Sequence, residues 1–435
     1  MKNILKEFFR YFIAFISMIL IFFGLICLSY LLPKDRIKEN GKAAIEDFNK
    51  EGDFYTPLFG DNNNISKAFL LDNYTDTLIM NVSVMNANSN EKSILKKAVL
   101  NQKYRDGDHP VKTYEEVFTK SKKPNGEYTR YWFGTIVIVK LLLTFITYSS
   151  IRYINMIFML TLLFIVVLLI QKKLNVLYSI AYALAFIISG IIIIPLSLQF
   201  SPVFIISLLS TLLILLLYDK NNFEKLLPYM FMFIGGLTAF FDLLTAPLVT
   251  YGIPMIVLIL LRSKMNKYTL KQDIFQYIKL SIMWIASYSL TYLAKWVIAS
   301  IILNENIIKI SWGQFRFRID VDGKYKKIDI IKKNFKLYFN KIVLYALIIF
   351  IITNFIIIVK KKLYRNVNIK KIVFLFVLGC APYFWYAVLT NHSAIHSWMT
   401  YRIQAITLLS ILSIIFSFYD KKQETLDKPK NQREQ

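Results

Sequence analysis

Long apolar runs limit this chain to one class of fold. Of its 435 residues, 56% are hydrophobic and 19% are charged, and several runs are too long and too free of charge for a soluble core. A helix needs roughly 20 apolar residues to cross the ~30 Å hydrocarbon layer of a bilayer. The sequence therefore predicts an all-α polytopic membrane protein.

Positive charge collects in the short turns between these runs. The formal net charge is +25, which in a soluble protein would indicate a nucleic-acid partner. Here the cations fit the retention of Lys and Arg in cytoplasmic loops, so we expect membrane lipids and no nucleic acid as partners. Lys2, Lys6 and Arg10 precede the first run, which is too long for a signal-peptide core. It is predicted to be an uncleaved anchor with a cytoplasmic N-terminus.

The cation clusters predict about ten transmembrane helices with both termini in the cytoplasm. The predicted spans cover residues 11–32, 151–170, 176–196, 202–218, 226–248, 251–261, 277–303, 342–359, 372–389 and 403–418. Abundant Ile, Lys and Asn with few Gly and Pro are typical of an AT-rich bacterial genome. The expected location is therefore a bacterial plasma membrane.

These spans divide the chain into four parts. They are an N-terminal transmembrane anchor (1–32), a large extracytoplasmic loop with a juxtamembrane helix (33–150), a multi-span bundle with an outer loop at 304–341 (151–419), and a disordered cytoplasmic tail (420–435). The run at 132–146 contains Lys140, and counting it as a span would reverse the side of every later cation cluster. We expect it to be an amphipathic helix on the outer surface. The lysines of the 304–341 loop depart from the positive-inside rule, which longer loops tolerate.

The polar segment, residues 33–130, holds the first candidate acids. Asp72 and Asp76 are four residues apart and precede an apolar stretch, which places both carboxylates on one face of a short helix. A helix N-cap and a solvated carboxylate explain the same pair, so both interpretations stay open. Arg130 lies among aromatic residues, where it is either an interfacial anchor or a ligand contact.

A few polar residues of the bundle also need an explanation. Asp242 lies within a predicted span, where an unpaired charge costs several kcal/mol and is usually functional; an ion pair with Lys295 or Arg402 is the structural alternative. His392 and His396 would share a helix face, a spacing that serves zinc, but no acidic partner motif accompanies them and no metal ligand is assigned. With Arg402, they better suit a phosphate or pyrophosphate at headgroup level.

The order of these features resembles the GT-C class of integral membrane glycosyltransferases over the whole chain. In both, a first span leads to a large outer loop with an acid near a surface helix. A second surface helix and a bundle with basic residues on its outer ends follow. The stretches 131–134, 295–296 and 400–402 also resemble uncharacterised Gram-positive members of this class.

The resemblance implies transfer of a sugar from a polyprenyl-phosphate donor to a cell-surface glycan or lipid acceptor, with inversion at the sugar carbon. It implies Asp72 or Asp76 as the base that activates the acceptor hydroxyl. The positions it implies for binding the donor phosphate are Lys295, His392, His396 and Arg402. Asp35, where the chain leaves the first span, is a rival base because the acidic pair lies later than is usual for the class. No cofactor is assigned, and a divalent cation is left open.

Two other function classes stay open on the sequence alone. A polysaccharide polymerase or ligase would use the same face with a lipid-pyrophosphate glycan, and the basic 304–341 loop is compatible with it. A lipid-linked glycan flippase or transporter would ordinarily carry several charged groups near mid-membrane and often an inverted repeat. The chain offers mainly Asp242 and no evident repeat.

Overall fold

Helices form nearly all of the regular structure in the computed structural model, which describes residues 2–56, 69–107, 109–265, 267–319 and 323–420. In chain order the elements are α1 (Lys2–Ser29), α2 (Lys34–Lys42), α3 (Ala44–Glu51), β1 (Phe54–Tyr55), β2 (Leu71–Asp72), α4 (Asn73–Val84), α5 (Ile94–Leu100), α6 (Pro110–Thr119), α7 (Thr135–Leu143), α8 (Tyr148–Lys173), α9 (Val176–Ile188), α10 (Ser201–Leu217), α11 (Phe223–Phe241), α12 (Val249–Met265), α13 (Leu270–Leu303), α14 (Ile307–Ile319), α15 (Lys327–Tyr338), α16 (Lys341–Lys360), α17 (Ile369–Gly379), α18 (Ala381–Val388), α19 (Thr390–Ile395), α20 (Ser397–Thr400) and α21 (Ala405–Ser417). This composition agrees with the predicted all-α membrane class.

Six stretches of the described chain are long and apolar enough to cross a membrane. They are Leu5–Ser29, Tyr148–Lys173, Leu270–Leu303, Lys341–Lys360, Ile369–Val388 and Ser397–Ser417. Helices do lie at each predicted span, but α9, α10, α11 and α12 are not among these six, and their lengths are 13, 17, 19 and 17 residues. The predicted count of about ten spans is therefore not confirmed.

Helix α13 is the longest of the bundle, and its ends have clear local causes. Thr269 and Gln272 form a reciprocal capping box at its start, which satisfies backbone N–H groups that have no partner within the helix. At its other end Asn304 adopts a left-handed conformation (φ 55°), a frequent helix terminator. Between these caps lie 34 residues, a rise of about 51 Å, so α13 extends beyond the hydrocarbon layer.

The run at 132–146 contains the short helix α7. Its nine residues rise only about 14 Å, less than half of a bilayer core. It packs against α1, α2 and α4. Lys140 is fully buried, with its ammonium 3.2 Å from the centroid of the Tyr30 ring. The cation of this helix therefore faces the protein interior and not solvent.

The polar segment folds into short helices around a two-stranded antiparallel sheet. Strand β1 pairs with β2 so that Phe54 lies opposite Asp72 and Tyr55 lies opposite Leu71. Helix α4 follows β2 directly, and its apolar side joins one hydrophobic cluster with α1, α6 and α7. The segment is thus packed on the bundle through a shared core.

One side-chain arrangement docks the polar segment on the bundle, and a backbone hydrogen bond just after the segment adds to it. Asp76 of α4 is fully buried and accepts four hydrogen bonds, from Tyr148 Oη (2.9 Å), Ser197 Oγ (2.9 Å), Leu198 N (2.9 Å) and Gln199 N (3.1 Å). Near the other end, Gly134 N donates to Phe240 O at 2.8 Å. A Cβ at Gly134 would lie 2.4 Å from the Phe240 ring, so only glycine fits this approach.

The 304–341 loop contains two helices, α14 and α15, that pack over the 390–404 segment. Lys333 Nζ donates to Ala394 O at 3.0 Å. Asn334 donates to Ser393 O at 3.2 Å and accepts from Thr400 Oγ1 at 2.8 Å. The predicted loop is therefore a helical cover for the segment that carries the two histidines.

Ion pairs join the helices of the bundle at the end that includes Arg262 and Lys370. Arg262 of α12 pairs with Glu224 and, at 2.9 Å, with Asp273, which also pairs with Lys370 at 2.6 Å. Lys371 pairs with Asp420 at 2.5 Å. Asp420 begins the predicted disordered tail, the rest of which lies outside the described residues.

We expect Asp76→Asn to lower the apparent Tm of the detergent-solubilised protein by about 5 °C. The carboxylate accepts hydrogen bonds from four donors. An amide in its place would present its own NH₂ group, which is also a donor, to at least one of them. The matched control is Glu39→Gln, since that side chain is 71% exposed, and its Tm should stay within about 1 °C of wild type. Equal shifts in the two variants, measured by scanning fluorimetry, would show that Asp76 does not hold the fold together.

Candidate functional site

The 390–404 segment between α18 and α21 forms the centre of the candidate site. It is broken into α19, α20 and a 3₁₀ turn at Tyr401–Gln404, and most of its residues are buried. Helix α19 ends at Ile395, so His392 and His396 do not share one continuous helix. Their rings are nevertheless adjacent, with centroids 4.8 Å apart.

Asp72 reaches this segment from the end of β2. It caps α4, accepting hydrogen bonds from Thr75 N (3.0 Å) and Thr75 Oγ1 (2.7 Å), and it also accepts one from Trp398 Nε1 (3.3 Å). Burial raises the pKa of Asp72, and these hydrogen bonds and the positive charge of Arg402 oppose the rise. Of the two alternatives that the sequence left open, the helix N-cap is observed, although its carboxylate is buried and not solvated; the role of Asp72 as a base stays a prediction.

Arg402 lies on the other side of Trp398 and is fully buried. Its Nη1 donates to Trp398 O at 2.7 Å and its Nε to Ser189 O at 3.3 Å, and the guanidinium covers the Phe200 ring at 3.9 Å. Its Nη2 has no hydrogen-bond partner among the described residues. Because a buried N–H without an acceptor is costly, this group is suited to an oxygen of a bound ligand.

His392 is held as a neutral imidazole. Arg318 Nη1 lies 2.6 Å from its Nδ1, and Leu244 O lies 2.7 Å from its Nε2. A guanidinium can only donate, so Nδ1 accepts and the proton on Nε2 is donated to the carbonyl. Burial, with the nearby charge of Arg318, holds the pKa of His392 well below its usual range.

His396 continues the chain of contacts toward Asp72. Its ring meets the Trp398 indole at a centroid distance of 5.1 Å. Its Nδ1 is buried and has no partner in the described part of the chain. Burial, reinforced by Arg318, lowers the pKa of His396 to about 4. This histidine is therefore also neutral near pH 7.

A large apolar cavity begins beside Arg318. Its volume is about 970 Å³, and apolar and aromatic side chains of α12, α13, α14, α17 and α18 line it. Along α13 the lining runs from Ile274 to Trp296, a rise of about 33 Å, which matches a bilayer core. Two cations, Arg130 and Arg318, lie at the end of the cavity nearest the polar segment.

Arg130 is fixed at this mouth by aromatic groups. Its Nη2 donates to Tyr128 Oη at 2.6 Å, its guanidinium covers the Tyr128 ring at 4.1 Å, and its carbonyl accepts from Trp296 Nε1 at 2.9 Å. Its Nε is buried and unpartnered within the described ranges. The aromatic contacts therefore hold Arg130 in place at the cavity, and its Nε remains able to donate a hydrogen bond to a ligand.

Two of the predicted residues lie elsewhere. Lys295 is buried on α13 and donates to Ala98 O and Val99 O, each at 3.1 Å. It thus satisfies carbonyl groups at the end of α5, where a cation is favourable. Asp35 is exposed in the first turn of α2. Within the described part of the chain, no hydrogen bond or ion pair joins either residue to His392 or His396.

Asp242 is placed differently from the sequence interpretation. Helix α11 ends at Phe241, so Asp242 follows the helix instead of lying inside it. Its carboxylate oxygens accept from Thr245 N at 2.9 and 3.1 Å. The turn that this makes holds Leu244 in a left-handed conformation (φ 69°), which is rare for this residue type. No ion pair joins Asp242 to Lys295 or Arg402 among the described residues, and its evident role is to shape the turn that presents Leu244 O to His392.

Asp72, which caps α4, and Asp76, which lies within α4, differ in what they can still bind. Burial raises the pKa of Asp76 to about 6, opposed mainly by Arg152, so it is largely ionised near pH 7. Its four donors leave little room for a substrate. Asp72 faces Trp398 and Arg402 and is the better candidate for a base.

Sequence reasoning missed Arg318 and Trp398. Arg318 lies on α14, inside a loop where its charge looked like one of many cations. Trp398 lies between His396 and Arg402 in the sequence, and no role was predicted for it. The available signals were an arginine near the end of an aromatic-rich stretch and a tryptophan beside a histidine, and neither is specific. For metals, no group of three His, Cys, Asp or Glu side chains within the described residues could hold an ion.

We expect folding stability to fall as the pH is lowered from about 6.5 toward 4. In that range the unfolded chain protonates His396, whereas the folded protein does so only near its pKa of about 4, so acid favours the unfolded state. His396→Gln should therefore lose about 2 °C less in Tm than wild type between pH 7 and pH 5. His109→Gln, whose side chain is 79% exposed, should follow wild type. If His396→Gln also followed wild type, His396 would not be buried as a neutral group.

The chain matches no protein-family model, and no curated protein or solved structure is significantly similar to it.

Proposed function

We propose that this protein is a membrane glycosyltransferase that takes a sugar from a polyprenyl-phosphate donor at the outer face of a bacterial plasma membrane. The observation that carries the proposal is the apolar cavity, whose end at Arg130 and Arg318 adjoins the cluster of His392, His396 and Asp72. An isoprenoid chain matches the apolar lining, and its phosphate matches the two cations.

The contacts between cavity and acid are continuous. Arg318 is hydrogen-bonded to His392, whose ring lies on His396. The ring of His396 lies on Trp398, and Trp398 donates to Asp72. Because the anomeric carbon is bonded directly to the phosphate, a phosphate bound by Arg318 has to lie on the side of Arg318 that faces this row, so that the acceptor hydroxyl at Asp72 can reach that carbon. Reaction requires such near contact between the base and the reacting centre.

These positions support the following reaction. The Asp72 carboxylate accepts the proton of the acceptor hydroxyl while the hydroxyl oxygen attacks the anomeric carbon. The bond from that carbon to the phosphate oxygen breaks, and polyprenyl phosphate leaves with the bonding electron pair. Arg318 and Arg130 stabilise the charge that develops on the phosphate, and the free Nη2 of Arg402 binds an oxygen of the sugar or the phosphate. A carboxylate with a raised pKa suits the role of base.

Asp72→Asn should reduce sugar transfer by about a thousandfold, because an amide cannot accept the proton of the hydroxyl. Asparagine still caps a helix, so the Tm should stay close to wild type. The measurement is transfer of radiolabel from a panel of polyprenyl-phosphate hexoses and pentoses to the glycans and lipids of isolated membranes.

Asp35→Asn is the matched control for the base, since Asp35 is the exposed acid nearest the first span. It should retain wild-type transfer. Full transfer by a well-expressed Asp72→Asn variant would remove Asp72 as the base. Loss of transfer in Asp35→Asn would move that role to Asp35.

Arg318→Ala should weaken binding of the donor lipid about tenfold. The probe is a polyprenyl phosphate with a photoreactive diazirine in its chain, applied to the reconstituted full-length protein. Label should appear in peptides of α13 and α17 and be competed by unlabelled polyprenyl phosphate, with uncharged polyprenol competing at least tenfold more weakly. Equal competition by polyprenol, or label spread over the whole bundle surface, would contradict a phosphate site at Arg318.

The same competition separates the donor classes. Polyprenyl monophosphate is expected to compete better than polyprenyl pyrophosphate for a monophosphate-sugar transferase. The reverse order would favour the polymerase or ligase alternative.

A further inference from the structure

Two exposed aromatic rings lie beside the candidate base. Phe54 and Tyr74 are 43% and 37% exposed, and their rings are almost parallel, 7° apart in orientation with centroids separated by 6.0 Å. The Trp398 indole meets Phe54 edge-on at 5.3 Å. We call Phe54, Tyr74 and Trp398 the aromatic platform.

The sheet register ties the platform to Asp72. Phe54 is paired directly with Asp72 across β1 and β2, and paired side chains in a sheet project to the same face. Trp398 donates its indole N–H to the same carboxylate. The platform and the base therefore lie on the same side of the sheet, with Asp72 buried behind the exposed rings.

The surroundings of the platform are polar. Asp53, next to Phe54, has a side chain that is 26% exposed, and the Nδ1 of the exposed His109 lies 3.9 Å from its Oδ2. The backbone carbonyl of Asp53 also accepts from Tyr74 N at 2.9 Å. Two exposed rings beside a chain segment with a partly exposed carboxylate differ from a broad apolar patch, which would indicate a lipid tail or a protein partner.

We propose that the aromatic platform binds a pyranose ring of the acceptor, so that the acceptor is a glycan; this rests on the proposed transferase function. A pyranose has one face of C–H bonds and a rim of hydroxyl groups. The C–H face packs on the negative face of an aromatic ring, and the hydroxyl rim suits Asp53 and His109. One hydroxyl then points toward the buried Asp72, which lies on the same side of the sheet.

The test uses the full-length protein in detergent and saturation-transfer NMR with methyl glucoside, galactoside, mannoside and N-acetylglucosaminide, each in a separate sample. At least one glycoside should show strong saturation on the C–H protons of one ring face. A Phe54→Ala, Tyr74→Ala double variant should reduce that signal roughly fivefold or more, whereas Tyr74→Phe, which keeps the ring, should retain it. Tyr364→Ala removes a tyrosine that is 48% exposed outside the platform and should leave the signal unchanged.

Three results would overturn the platform: no saturation of any glycoside by wild type, equal saturation by the double variant, or equal loss in Tyr364→Ala. The transferase proposal is judged separately on the same variants, because the double variant should keep wild-type photolabelling by the donor lipid. Normal donor labelling and loss of transfer in Asp72→Asn, without any glycoside contact, would reject only the platform. Glycoside contact with full transfer by Asp72→Asn would reject only the assigned base.

Discussion

The carboxylate of Asp76 holds the polar segment against the bundle, and the geometry of the candidate site depends on that docking. Two of its four donors are backbone N–H groups in the turn between α9 and α10. Gln199 in this turn also hydrogen-bonds Thr245, so the same interaction supports the bend that presents Leu244 O to His392. Asp72 lies four residues before Asp76 and accepts a hydrogen bond from Trp398 Nε1. The two acids therefore differ. The hydrogen bonds that dock the polar segment occupy the Asp76 carboxylate, whereas the Asp72 carboxylate contacts Trp398 at the candidate site.

The site concentrates polar groups that the fold does not fully satisfy. Arg402 Nη2 and His396 Nδ1 are buried without partners within the described residues, and each such group costs about 1–3 kcal/mol. The cost is consistent with donors and acceptors that are held ready for a ligand. Beside them, the cavity is apolar over about the thickness of a bilayer core, with its cations at one end. An apolar interior and a charged mouth are the two surfaces that a lipid phosphate requires.

Charge and hydropathy predicted much of this arrangement, and their failures have physical causes. Charge-free runs located the bundle helices, but the length of α9 to α12 leaves their crossing of the membrane open. The spacing of Asp72 and Asp76 predicted one short helix with both acids, but Asp72 ends β2 and caps α4, so that only Asp76 lies within the helix. The donor role predicted for the run from His392 to Arg402 stays a prediction. Lys295 was assigned to the same cluster because the sequence does not reveal that the carbonyl groups of α5 meet it. Arg318 was missed because its partner, His392, is distant along the chain.

The most direct test of the account is an experimental structure, by cryo-electron microscopy, of the protein with a polyprenyl phosphate bound. The account predicts that the isoprenoid lies along α13 between Ile274 and Trp296 and that the phosphate contacts Arg318 and Arg130. It also predicts that Asp72 keeps its hydrogen bond with Trp398. Lipid density outside this cavity, or a phosphate far from both arginines with Asp72 turned away, would contradict it.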